Sequence, residues 1–190
     1  MTVEPATFEA TALLARVEAL TTFVLGADGV LPEARVTRAA ALAHRAEDRL
    51  RLSGEHTVVA LAGATGSGKS SLFNALARME LSTVGVRRPT TAHTFACVWG
   101  RTGTPPLLDW LGVAPERRFT RESALDADDE ADLRGLVLLD LPDFDTLASE
   151  HRVEVDRMLE LVDLIVWVTD PQKYADQVIH DRYLHAFRSG

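Results

Sequence analysis

Between a short apolar run and an amphipathic segment stand eight residues, Gly63-Ala64-Thr65-Gly66-Ser67-Gly68-Lys69-Ser70, whose spacing of glycines, lysine and serine leaves few ways to fold. The run before them, Thr57-Val58-Val59-Ala60-Leu61-Ala62, has the pattern of a buried strand. The segment after them, Ser71-Leu72-Phe73-Asn74-Ala75-Leu76, reads as a helix. A glycine-rich stretch by itself is often only a loop. Set between strand and helix, G-x-x-x-x-G-K-[ST] is a phosphate-binding loop. Its glycines let the backbone curl so that successive N–H groups point inward at a polyphosphate, and the helix N-terminus adds partial positive charge. The pattern places Lys69 at the β- and γ-phosphates and the Ser70 hydroxyl on Mg²⁺.

The rest of the composition narrows the classes around that loop. A net charge of −8 argues against broad nucleic-acid binding through the phosphate backbone, while leaving room for a local basic patch. Lysine occurs only at 69 and 173, so nearly all positive charge is arginine and one of the two lysines occupies the phosphate loop. The single cysteine, Cys97, has no internal disulfide partner and reads as a small buried apolar residue. No apolar run approaches the length of a membrane span, and the N-terminus lacks the basic-then-apolar order of a signal peptide. A cytoplasmic location is expected, with membrane attachment through a longer parent chain left open.

Helical spacing of Phe8, Leu13, Val17, Leu20 and Val24 predicts a helix from residue 6 to about 25. Pro32 opens a second, to about Leu52, with Val36, Ala39, Ala43, Ala46 and Leu50 along one side. Residues 1–55 thus read as a helical hairpin, which either packs on the nucleotide domain or binds a partner; periodicity does not separate the two. Residues 56–190 read as the nucleotide domain. Strands are expected at His93 to Trp99, Leu136 to Asp140 and Leu164 to Val168, with helices at about Ser149–Val162 and Ala175–Phe187. Residues 100–134, with Pro105-Pro106, Pro115 and the acidic stretch from Asp126 to Asp132, read as an irregular solvated excursion pinned by Trp110 and Leu111. Strands alternating with helices predict an α/β fold: three layers, α/β/α, around a mostly parallel sheet.

Three further elements follow the phosphate loop in the order a nucleotide switch needs. Thr90-Thr91 lies in a polar loop, where a threonine can close over the γ-phosphate and give its hydroxyl to Mg²⁺. Asp140 ends an apolar strand, where a carboxylate holds a water of the metal or, alternatively, caps a turn. Asp140-Leu141-Pro142-Asp143 then begins a segment in which the Asp143 N–H can sense the γ-phosphate.

Residues 68–76 (Gly-Lys-Ser-Ser-Leu-Phe-Asn-Ala-Leu), 87–91 (Arg-Arg-Pro-Thr-Thr) and 140–143 (Asp-Leu-Pro-Asp) resemble the G1, G2 and G3 motifs of the translation-factor-related (TRAFAC) class of P-loop GTPases. The likeness is strongest to the Era-like and YfjP-like bacterial group, near the 50S ribosome-binding GTPases, and covers roughly 56–190. The resemblance implies a GTP-binding, Mg²⁺-dependent GTPase with nucleotide contacts from Gly63 through Ser71 and from Asp143. It makes Ser70, Thr91 (Thr90 as second choice) and Asp140 the metal ligands, and Lys69 and Thr91 the catalytic pair. Arg87 and Arg88 either approach phosphate or are solvated loop arginines.

The sequence departs from that pattern at four places. Asp143 replaces the glycine of D-x-x-G and adds negative charge near the γ-phosphate. Phe144 stands where Ras-type GTPases carry a catalytic glutamine, which fits relatives whose hydrolysis needs a partner protein, a dimer or another residue. Gly66 replaces the asparagine of potassium-activated relatives. No [NT]-K-x-D element for guanine is present: the only asparagine is Asn74, and Lys173 lies in Asp170-Pro171-Gln172-Lys173-Tyr174. The expectation is therefore a G domain truncated at its C-terminal side, with Leu164–Val168 as an uncovered apolar edge.

The leading reading is a slow GTPase switch converting GTP to GDP and phosphate, with ribosome or membrane association open and no compelling general base (Asp145 is a remote candidate). Two alternatives stand beside it: a P-loop ATPase or small-molecule kinase, and a catalytically weak nucleotide-binding partner module.

Overall fold

A computed structural model describes residues 5–27, 29–52, 55–82, 93–100, 103–121, 131–143 and 149–170. Its helices are α1 (Pro5–Gly26), α2 (Glu33–Leu52), α3 (Lys69–Ala77), α4 (Thr104–Leu111) and α5 (Ser149–Leu161). Its strands are β1 (Thr57–Gly63), β2 (Phe95–Trp99), β3 (Arg118–Arg121), β4 (Leu136–Asp140) and β5 (Leu164–Val168). The strands form one sheet in the order β3-β2-β4-β1-β5. β1 pairs in parallel with β4 and β5, and β2 in parallel with β3; β2 and β4 run antiparallel. The mostly parallel α/β architecture expected from the sequence is the one observed.

Strand side chains alternate between two faces, and each face has its own core. On one, Val58, Ala60 and Ala62 of β1, Ala96 and Val98 of β2, and Val137 and Leu139 of β4 meet Leu107, Leu108 and Leu111 of α4 and Met158 of α5. On the other, Leu61, Cys97, Trp99 and Leu138 meet Phe73 and Ala77 of α3. Phe73 and Cys97 are both fully buried, as expected of Cys97. Burying a side chain the size of Phe73 contributes about 1.5–3 kcal/mol, which holds the helix carrying Lys69 firmly against the sheet.

Residues 100–134 correct the sequence reading. Where described, at 103–121 and 131–134, they are not irregular: they include α4, a short 3-10 turn at Pro115–Arg117, the strand β3 and a second 3-10 turn at Ala131–Leu133. Pro105-Pro106 misled because proline is tolerated in the first turn of a helix, where the missing N–H has no intrahelical acceptor. Gly103 and Gly112 bracket α4 in left-handed conformations, and Leu111 is buried as anticipated, together with Leu107 and Leu108. β3 escaped notice because Arg-Phe-Thr-Arg carries no apolar run. Its Arg121 Nη1 donates to the carbonyl of Ala77 at 2.5 Å, tying this edge to the end of α3.

β5 pairs with β1 and is partly open, in keeping with the uncovered apolar edge expected at Leu164–Val168. Ile165 and Trp167 pack on the first core, while Leu164 and Val166 are 55% and 37% exposed. Among the described residues it is the outermost strand on its side. The helix expected at Ala175–Phe187 lies outside the described residues.

α1 and α2 pack against each other. α1 buries Val17 and Val24, and Ala27 is buried just past its end, whereas Leu13 and Leu20, which share the helical spacing, are exposed. α2 fastens the pair to the N-terminal ends of the strands. Arg49 Nη2 donates to the carbonyl of His56 at 2.7 Å and pairs with Asp163 Oδ2 at 2.6 Å. Asp163 Oδ2 also accepts the Val58 N–H at 2.7 Å, and Arg45 pairs with Glu160 of α5. His56 is half-buried at this junction. Burial, then the Arg49 guanidinium, lowers its pKa below the usual 6.5, against a smaller opposing effect of Glu55.

Candidate phosphate and metal site

Parallel pairing of β1 with β4 brings Leu61 beside Asp140, so the two strands end together. The loop leaving β1 and the Asp-Leu-Pro-Asp segment leaving β4 therefore share one crevice at the carboxyl ends of the strands, where open α/β sheets bind ligands.

The loop's glycines are demanded by the backbone it follows. Gly66 and Gly68 sit at φ +78° and +89°, the left-handed region that side chains rarely tolerate. Gly63 has a different reason: a Cβ there would lie 2.5 Å from the carbonyl oxygen of Val168 and 2.6 Å from Ser67 Oγ, so β5 and the loop can approach only a glycine. Ala64 and Thr65 are buried, and the Ser67 N–H closes a turn on the Ala64 carbonyl at 3.1 Å. Gly68 is the N-cap of α3, and no side chain caps the helix there. Its first N–H groups are the donors that an anion at a helix N-terminus uses.

Lys69 is the first residue of α3 and only 3% exposed. Its Nζ pairs with Asp140 Oδ1 at 2.8 Å and stands 3.6 Å from Asp143 Oδ1. Both carboxylates are buried as well, at 0% and 4% exposure. Three residues singled out from sequence, Lys69 standing 71 positions before Asp140, thus form one cluster. Ser70 and Ser71 occupy the first turn of the same helix.

Two residues that sequence reasoning passed over complete the cluster. Ser82, 5% exposed, donates its hydroxyl to Asp140 Oδ2 at 2.7 Å. Asn74 holds Ser82 in place: its Oδ1 accepts the N–H groups of Leu81 and Ser82 at 3.0 and 2.8 Å, and its Nδ2 donates to the Ser82 carbonyl at 2.8 Å. The available signal was Asn74 itself. Asparagine is a weak helix former whose side chain competes for backbone groups, and the chain's one asparagine sits inside a nine-residue helix. Nothing in the sequence distinguishes Ser82 from the other hydroxyls of its loop.

Thr90, Thr91, Arg87, Arg88, Phe144 and Asp145 lie outside the described residues. So does Lys173.

The donor set suits Mg²⁺ with a polyphosphate better than Mg²⁺ alone. No group of three or more His, Cys, Asp or Glu able to hold a metal occurs among the described residues. Mg²⁺ ordinarily takes one or two carboxylates, keeps several waters and completes its shell with substrate phosphates. Asp140, paired with Lys69 in the turn of α3 that also carries Ser70, fits that habit.

A parallel sheet with a glycine loop opening into a helix, and a strand-terminal aspartate on the neighbouring strand, defines a P-loop nucleotide-binding protein. Residues 58–188 match the model of the 50S ribosome-binding GTPase family, well over half of the chain, and the chain belongs to that family. GTP binding and hydrolysis are the family's general activity. A similar curated protein is the tRNA modification GTPase MnmE of Methylobacterium sp. (strain 4-46), 33% identical over 152 residues. That alignment takes in 78% of this chain, and the chain spans 28% of the length of that relative. Two chains from structures of an oligomerised bacterial dynamin pair, described in connection with sensing and tethering of membranes, are also similar. Their identities are 17% and 18%, with TM-scores of 0.40 and 0.38, covering 95% and 90% of this chain and 37% and 30% of theirs. No described helix is long and apolar enough to cross a membrane.

Proposed function

We propose that this chain binds GTP with Mg²⁺ at the ends of β1 and β4 and hydrolyses it slowly, as a switch. The observation that carries the proposal is Lys69, fixed at the first position of α3 and 2.8 Å from the strand-terminal Asp140. In this reading residues 56–190 are the G domain and 1–55 an appended hairpin. Gly63 to Ser71 and the Asp143 N–H bind the nucleotide; Ser70, Asp140 and Thr91 hold the metal. The reaction is transfer of the terminal phosphoryl group to water. Lys69 and the loop N–H groups stabilise charge on the phosphate oxygens, aimed beforehand by the fold. Mg²⁺, when bound, neutralises charge across the β- and γ-phosphates. Thr91 closes the site from its loop. Turnover is slow because Phe144 offers no hydrogen bond to orient water, so hydrolysis is completed by a partner protein or a second copy.

A second reading, a nucleotide-binding module with little catalysis, is favoured by the carboxylate of Asp143 beside Lys69. Calorimetry with GTP and ATP, each with Mg²⁺, followed by single-turnover phosphate release, separates the possibilities. The expected result is GTP preference with slow release. An ATP preference rejects the guanine assignment, and tight GTP binding without release, alone or with candidate partners, selects the module.

A further inference from the structure

We propose that the N-terminal helices and the nucleotide domain enclose a second binding site, for a small uncharged apolar molecule about two fused rings in size. It lies at the opposite end of the sheet from Lys69 and owes nothing to the nucleotide reading.

The site follows from how α1 is supported. Its 22 residues include only Glu9, Arg16 and Glu18 as charged side chains, so most of its surface is apolar. A helix apolar all round is stable when it is covered. α1 packs on α2, and α2 is fastened to the domain by Arg45 with Glu160 and by Arg49 with Asp163. Between these supports lies an open-sided cavity of about 290 Å³. Leu13 and Val17 of α1, Leu42 and Leu50 of α2, Trp110 of α4 and Leu161 of α5 form its apolar walls. Leu13 and Leu42 are still 47% and 55% exposed, so part of that wall faces solvent.

Size, charge and shape set the class of occupant. An apolar cavity of about 150 Å³ takes up benzene, and this one has roughly twice the room. The ionic groups beside it, Arg45, Arg49, Glu160 and Asp163, are joined in two pairs. An incoming anion would meet Glu160 and Asp163, and an incoming cation would meet Arg45 and Arg49. Either would have to disturb a pair, at the cost of desolvating its own charge. An uncharged molecule leaves both pairs in place. Trp110 offers it an aromatic ring, whose attraction for another ring adds to the burial of area. A molecule seated there touches α1, α2, α4 and α5 together and so holds the N-terminal helices against the domain.

Indole, two fused rings without charge, is the probe. Calorimetric titration into the full 190-residue chain, with no nucleotide present, is expected to show one site with Kd below about 1 mM. Indole-3-acetate and tryptamine carry similar rings with a negative and a positive charge, and are expected to bind at least about tenfold more weakly. Ala46→Phe, which adds a phenyl ring at the cavity wall, is expected to abolish indole binding. Leu42→Ala, which removes part of that wall, is expected to weaken it by about three- to tenfold and serves if the larger side chain prevents folding, as thermal melting will show. The absence of saturable heat with indole overturns the proposal. So does indole binding that the folded variants leave unchanged, which would put the molecule elsewhere. Equal affinity for all three probes overturns the assignment to an uncharged ligand. Failure of GTP to bind would leave each of these results standing, so the two sites are judged separately.

Discussion

At the carboxyl ends of β1 and β4, Lys69 meets Asp140 and Asp143; at the opposite ends of the strands, Arg49 meets Asp163 and the carbonyl of His56. Both are cations facing carboxylates, Lys69 buried and Arg49 partly so, yet they differ in what they hold. Arg49 spreads its guanidinium over a backbone carbonyl and an aspartate that itself accepts a strand N–H, so α2, β1 and the start of β5 are locked by one fork of donors. Lys69 is a compact charge shared by two carboxylates, at the tip of a helix whose N-terminal N–H groups no side chain caps. An ammonium can change partners without a change in backbone; a guanidinium bonded to backbone cannot. In the proposed reading, one end of the sheet exchanges ligands and the other stays closed.

Substituting the two cations breaks that comparison most sharply. Lys69→Ala is expected to weaken Mg²⁺–GTP binding by about a hundredfold or more, because the phosphate loses its only side-chain cation in the proposed set. Removing one partner of a buried ion pair also lowers stability by about 3 kcal/mol, which a domain of ordinary stability survives with its fold intact. Arg49→Ala is expected to do the reverse. It costs about 2 kcal/mol in urea unfolding, discounted because the Asp163 side chain is 38% exposed, and changes GTP affinity by less than about threefold. A tenfold affinity loss in Arg49→Ala would show the two ends to be coupled and dissolve the distinction.

Ser82→Ala sharpens the comparison within the phosphate end. It removes the donor to Asp140 Oδ2 without touching Lys69. Stability is expected to fall by about 1 kcal/mol. The Mg²⁺ concentration that half-saturates GTP binding is expected to rise by about three- to tenfold as Asp140 loses its fixed orientation. Ser82→Thr keeps the hydroxyl and is expected to titrate like wild type. An unmoved Mg²⁺ midpoint in Ser82→Ala would confine Ser82 to packing.

Most of the cluster around Lys69 was legible in the sequence because the pattern that marks its residues is local. A glycine loop announces itself through spacing, and apolar runs of five residues announce strands such as Leu136–Asp140, matched to the residue. What was hidden depends on contacts between distant segments. That Gly63 is required by the Val168 carbonyl follows only once β5 is known to lie beside β1. Ser82 acquires meaning only when Asn74 folds its loop back over Asp140. Helix α4 and strand β3 were lost for another reason: prolines in a first turn and an edge strand of arginines imitate a loop. The Arg49 contacts were illegible because nothing in the spacing of α2 marks one of its arginines as turned toward the strands.

The closed end also carries a smaller, pH-dependent signature that the phosphate end need not share. His56 has its folded pKa lowered, by burial first and by the Arg49 guanidinium second, so the unfolded chain takes up a proton more readily than the folded one. The sign follows: its contribution to stability is fully present above the ordinary histidine pKa and is lost as pH falls from there through the lowered folded value. The wild-type chain should therefore lose unfolding free energy between about pH 7 and pH 5 more steeply than His56→Gln, which cannot titrate. Urea denaturation across that range measures the difference, with the carboxylates common to both chains cancelling. Glu55 acts in the opposite direction, so Glu55→Gln should deepen the acid loss. Parallel slopes in wild type and His56→Gln would mean that the α2 junction opens to water before the rest of the fold, and Arg49 would then be a surface clasp instead of a buried lock.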